Sequence, residues 1–174
     1  SVLVMGDGSL LGIGDNSDGR ISISLTKTEI YQFTEFSFKD DSGRKLAPIA
    51  AVCYSGGTLY MFSKSNGDGR QLVYYDYEIK GGNPVFLEIG DEKPVSLFGV
   101  NNNAAAISDK GEVIFINRYA LKKSPNSQIS AVSIPDGEKA SSVACLDDSV
   151  VVLSSNGRVF SYSIESGSSI VKFS

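Results

Sequence analysis

Read as apolar and polar positions, the chain breaks into short apolar runs. They cover residues 2–5, 50–54, 59–62, 72–77, 85–89, 95–100, 113–116, 150–153 and 159–162. None shows the 3.6-residue spacing of an amphipathic helix; they alternate or stay apolar over strand-length stretches. Turn-forming pairs separate them, among them Asp7-Gly8, Asp18-Gly19, Asn66-Gly67, Asp68-Gly69, Asp136-Gly137 and Asn156-Gly157. Such pairs suit tight hairpins because both central residues tolerate positive φ. The pattern predicts an all-β chain of many short strands.

One unit recurs: a turn closing in glycine, one residue, then two apolar positions. Its copies begin at Gly8, Gly57, Gly111 and Gly157, spaced 49, 54 and 46 residues apart. Residues 95–109 and 141–155 align upstream of the last two, each an apolar stretch, a polar turn and a second apolar stretch. A period near 50 made of four short strands is the scale of a propeller blade. A blade cannot bury both faces alone and must stack on its neighbours. The expected fold is therefore a β-propeller of four-stranded antiparallel blades, with approximate repeats at 1–48, 49–94, 95–138 and 139–174.

Residues 8–21 read GSLLGIGDNSDGRI. Gly8, Leu10, Gly14, Asn16 and Gly19 match the blade motif of the regulator of chromosome condensation (RCC1-like) repeats, with Ile13 in the usual Trp position and Ile21 in the usual Leu position. Residues 98–113 (FGVNNNAAAISDKGEV) resemble the other half of that repeat, with Asn103 at the usual His position and, in the next unit, Ser149. The resemblance covers the chain as about four degenerate units. It implies a propeller closed by seven blades, of which 174 residues supply about three and a half, so a partial propeller is expected. Open strand edges then invite self-association or pairing with the rest of a ring. Ser1 is compatible with removal of an initiator Met, which would make this an N-terminal half.

Composition narrows the function. The chain has 16 basic and 20 acidic residues, net −4, which argues against a dedicated nucleic-acid or anionic-membrane surface. It has no histidine, which removes His-based acid–base catalysis and His metal sites, and no tryptophan. WD signatures are absent, and Gly56-Gly57 with Tyr60 gives only a fragment of a kelch repeat. No apolar run is long enough to span a bilayer. Cys53 and Cys145 lie among apolar neighbours, which predicts buried free thiols and an intracellular, cytoplasmic or nuclear location.

Candidate chemistry is sparse. Residues 64–69 (KSNGDG) lack the first carboxylate and the last glutamate of a calcium loop, so a hairpin turn is expected. Asp15, Asn16 and Asp18 are expected to hold backbone amides rather than a cation. The glycine-rich stretch 6–19 has no Lys-Ser/Thr to complete a phosphate loop. Arg118, Lys122 and Lys123, with Tyr119, form the densest basic cluster and read as a solvated loop before a phosphate site. The pairs Asp40-Asp41 and Asp147-Asp148 sit in turn contexts and read as exposed. Tyr74, Tyr75, Tyr77 and Phe86 predict cross-strand packing, with Tyr75 a partner anchor if it points outward.

No catalytic, cofactor or metal residue is assigned, and a non-enzymatic protein-interaction scaffold that binds a protein partner through propeller loops is expected. The resemblance also implies guanine-nucleotide exchange on a small GTPase or a chromatin-associated role. An inhibitor module like the propeller that blocks β-lactamases is a third reading.

Overall fold

The computed structural model describes residues 1–17, 19, 21, 28–39, 48–63, 71–76, 84–87, 94–100, 103–123, 131–132, 134–146, 149–164 and 170–172. Among these residues fifteen strands form four antiparallel sheets, each a meander in chain order. The first sheet holds β1 (Val2–Val4), β2 (Leu10–Asp15) and β3 (Glu29–Phe36). The second holds β4 (Ile49–Ser55), β5 (Thr58–Ser63), β6 (Gln71–Tyr75) and β7 (Val85–Leu87). The third holds β8 (Pro94–Val100), β9 (Asn103–Ser108), β10 (Val113–Asn117) and β11 (Ala131–Val132). The fourth holds β12 (Ala140–Cys145), β13 (Ser149–Ser154), β14 (Val159–Ile164) and β15 (Ile170–Lys172). A short helix, α1 (Arg118–Lys123), follows β10, an element the strand pattern did not foresee.

Three apolar cores lie between successive sheets, and period-two alternation explains how one strand serves two of them. Along β5, Leu59 and Met61 face the first sheet while Tyr60 and Phe62 face the third. Along β9, Ala104 and Ala106 face the second sheet while Ala105 and Ile107 face the fourth. All six residues of β5, and all six of β9, are buried, which is why these segments read as unbroken apolar or small-residue runs. The leading strands β4, β8 and β12 lie side by side across the sheets, so they form the inner wall of the row. This is a partial β-propeller of four blades.

Backbone hydrogen bonds correct the repeat alignment. Met5 N donates to Ser9 O (2.9 Å), Ser108 N to Glu112 O (2.9 Å) and Ser154 N to Arg158 O (2.8 Å). These hairpins, turning at Gly8, Gly111 and Gly157, are equivalent, and they join β1–β2, β9–β10 and β13–β14. The Gly57 turn instead joins β4 to β5, one strand earlier in its sheet. Gly57 therefore is not a copy of the other three. By the same equivalence β1 corresponds to the second strands β9 and β13, and among the described residues the first sheet holds the counterparts of the second, third and fourth strands of the others.

The strand β3 was not among the apolar runs. It alternates Ile30 and Phe36, which enter the first core, with Tyr31 and Phe33, which do not, and polar residues between them hide the period.

Candidate interaction surface

The motif residues of the first repeat build a loop rather than a ligand site. The Asn16 side chain is buried and accepts the Ile21 backbone N–H at 2.8 Å, while Asn16 N donates to Thr28 O at 2.7 Å. Asp15 accepts the Ser17 N–H at 2.8 Å. Ile21 is thereby pressed onto Gly12, where a Cβ would come within 2.1 Å of its side chain, so only glycine fits. The Tyr75 hydroxyl donates to Gly19 O at 2.9 Å. Tyr75 and Tyr74 are both buried, on opposite faces of β6, so the tyrosine group is core and Tyr75 is not an outward anchor. Phe86 is 40% exposed and stands apart from that packing.

The basic cluster is divided. Arg118 is buried, and its Nε donates to Asp76 Oδ2 at 2.7 Å and to Thr58 Oγ1 at 2.9 Å. The Thr58 hydroxyl also donates to Asp76. The guanidinium lies over Gly57, where a Cβ would sit 3.2 Å from it. Lys122 and Lys123 are exposed in the last turn of α1, where cations suit the helix dipole. Arg118 is thus neither in a solvated loop nor offered to a phosphate; it ties the third sheet to the second. Asp76 and Thr58 carried a signal that went unread, a carboxylate embedded in the tyrosine run and a hydroxyl opening an apolar strand.

Cys53 and Cys145 are both free, and burial pushes both thiols up to about 12. Cys53 lies against Gly99 of β8. Among the described residues no group of three His, Cys, Asp or Glu side chains gathers. No helix among the described residues is long and apolar enough to cross a membrane. Residues 64–69, Asp18, Asp40, Asp41, Tyr77, Asp147 and Asp148 lie outside the described residues.

What remains are surfaces. A pocket of about 180 Å³ opens between the first two sheets, floored by Leu10, Phe36, Phe38 and Pro48, with Asp7 and Glu35 among its lining residues. On the outer face of the first sheet Tyr31 is 81% and Phe33 51% exposed. The Tyr31 hydroxyl donates to Glu29, and this hydrogen bond, followed by the carboxylate's charge, raises its pKa. On the outer face of the fourth sheet Leu153 and Val159 are 41% and 66% exposed, whereas their counterparts in the third sheet, Ile107 and Val113, are 4% and 2% exposed. Both ends of the row therefore present side chains of the kind that the interior interfaces bury.

Fold and surface define the chain as a propeller segment with open ends. Solved structures with the same arrangement include human WBSCR16, at TM-score 0.64 and 13% identity over 93% of this chain and 44% of that one. Yeast RCC1 (Prp20) bound to Kap60 superposes at TM-score 0.62 and 13% identity, over 93% of this chain and 41% of that one. Prp20 from Saccharomyces cerevisiae, described with its binding properties to Gsp1p and histones, gives TM-score 0.63 at 13% identity over 93% and 42%. The chain has an RCC1-like fold. It spans less than half the length of these solved structures. No family model matches it, and no curated protein matches its sequence.

Proposed function

We propose that this chain is a non-enzymatic protein-interaction module of the RCC1 type, which takes a protein partner through its propeller loops and apolar ends. The observation that supports it most is the exposure of Tyr31 and Phe33 on one open face. Large aromatic side chains held on a rigid sheet are good interface anchors. The RCC1-like structures include one solved with a protein bound, Prp20 with Kap60. A lysate pull-down with mass spectrometry tests the reading, using the intact chain and a Phe33→Ser variant. A partner held by the former and released by the latter is the expected result. A substrate turnover by the purified chain would overturn it.

A second reading, nucleotide exchange on a small GTPase, is favoured by the likeness to Prp20, which is described with binding to Gsp1p. The same pull-down separates the two when run with GTP and Mg²⁺ and again with EDTA. A GTPase captured only under EDTA would favour exchange, because exchangers hold the nucleotide-free state. A partner indifferent to nucleotide would favour the scaffold.

A further inference from the structure

The outermost strand of the first sheet carries a pattern that its core does not require. At alternate positions β3 reads Glu29, Tyr31, Phe33 and Glu35, all exposed, while Ile30 and Phe36 enter the first core. The Tyr31 hydroxyl donates to Glu29, which sets the ring beside that carboxylate. Gly12 pairs with Thr34 and Gly14 with Ile30, so residues 31–33 bulge opposite Ile13 alone. A bulge spoils an edge for strand pairing and re-aims its side chains. What β3 offers is therefore a row of side chains, two aromatic rings bracketed by two carboxylates.

The carboxylates mark this row as a solvated surface. A further sheet laid over it would bury Glu29 and Glu35, and burying a carboxylate without a cation is costly. Among the described residues neither has a cationic partner. The second sheet shows that such a position stays open even beside a neighbour. There Phe86 pairs with Val73 and Leu87 with Leu72, as Glu35 pairs with Leu11 and Phe36 with Leu10. Leu87 is buried towards the third sheet, so Phe86, the counterpart of Glu35, lies on the side of the first. It is still 40% exposed.

We propose, resting on the interaction reading above, that this face of β3 takes a basic segment of a protein partner, whose Arg or Lys side chains stack on Tyr31 and Phe33 and pair with Glu29 and Glu35. Aromatic faces attract cations, and the planar guanidinium can stack on a ring while it presents N–H groups to a carboxylate. Along an extended strand alternate side chains share one face, so arginines at every second residue of the partner match the spacing of the row. The same carboxylates repel the phosphates of a nucleic acid.

The probes are the synthetic peptide GRGRGRG and its lysine and glutamate analogues, titrated into the intact chain. Saturable binding is expected for the arginine peptide, about two- to fivefold weaker binding for the lysine peptide, and none for the glutamate peptide. Glu29→Gln with Glu35→Gln is expected to weaken arginine binding at least about tenfold at low salt, and Phe33→Ser at least about threefold. Asp109→Asn with Asp136→Asn removes the same charge at exposed positions elsewhere and is expected to leave binding within about twofold, which separates a site from attraction to the net charge of −4. Equal losses in the two charge variants, a glutamate peptide that binds as well as the arginine peptide, or no saturable binding would each overturn the proposal. The lysate pull-down tells the two readings apart. A partner released by Phe33→Ser but kept by the glutamine variant overturns the basic segment and leaves the interaction module standing. A partner kept by both overturns the aromatic face altogether.

Discussion

Arg118 and Asp76 form a buried ion pair between adjacent sheets, with Nε 2.7 Å from Oδ2 and side-chain exposures of 9% and 1%. The residues are far apart in sequence, and their contact lies over the Gly57 turn, between the second and third sheets. A buried charge left without its partner is costly, whereas removing both can be nearly neutral. Asp76→Leu alone is expected to cost about 3–5 kcal/mol in urea unfolding. Asp76→Leu with Arg118→Met is expected to cost less than either single change, and a purely additive double mutant would contradict the pairing.

The hairpin glycines predict a graded response. Gly111 (φ +83) and Gly157 (φ +80) share a left-handed conformation, but a Cβ at Gly111 would come within 2.6 Å of the Lys139 side chain, while at Gly157 nothing lies within 4 Å. Gly157→Ala is expected to cost about 1–2 kcal/mol from the backbone alone. Gly111→Ala is expected to cost about 1–3 kcal/mol more, because the start of the fourth sheet, where Ala140 N donates to Gly111 O at 2.8 Å, must move. Urea midpoints of the two variants, measured side by side, check the order.

The thiols offer a measurement that needs no mutation. Burial pushes Cys53 from 9.0 to about 12, with Cys145 adding to the rise, and burial pushes Cys145 to about 12. At pH 8 each holds on the order of a thousandfold less thiolate than a thiol of ordinary pKa. Reaction with Ellman's reagent is expected to be slow in the native chain and prompt in urea. Fast native labelling would show that the leading strands open readily.

Glu138 predicts part of the acid response. The Ser154 hydroxyl first, and then the Arg158 guanidinium, 2.6 Å away, hold its carboxyl below the ordinary value of 4.5. A lowered folded-state pKa gives stability that is fully present above 4.5 and lost as pH falls through the lower folded value. Glu138→Gln is expected to flatten the stability profile in that acidic window and to leave the slope above pH 6 unchanged. An identical acid profile in the variant would remove Glu138 from the account.

Much of the architecture was legible because it depends on local alternation. The runs at 59–62 and 113–116 are strands buried on both faces, and such strands need a sheet on each side. The glycine motif at residues 8–21 was legible for a similar reason, since Gly19 N donates to Asn16 O and Asn16 accepts the Ile21 N–H, contacts within one loop. The strand β3 was harder, because a face that meets no neighbouring sheet carries mixed side chains and blurs the period.

By itself the sequence determined the strand class, the blade-sized period and the RCC1-like resemblance, because each rests on spacing along the chain. Only the tertiary structure decided which turns are equivalent, since Gly57 and Gly111 look alike locally and differ in which strands they join. It alone turned Arg118 inward, because the partner carboxylate arrives from another sheet. Spacing reports what a residue's neighbours in sequence require, and pairing across sheets is set by which elements meet in space.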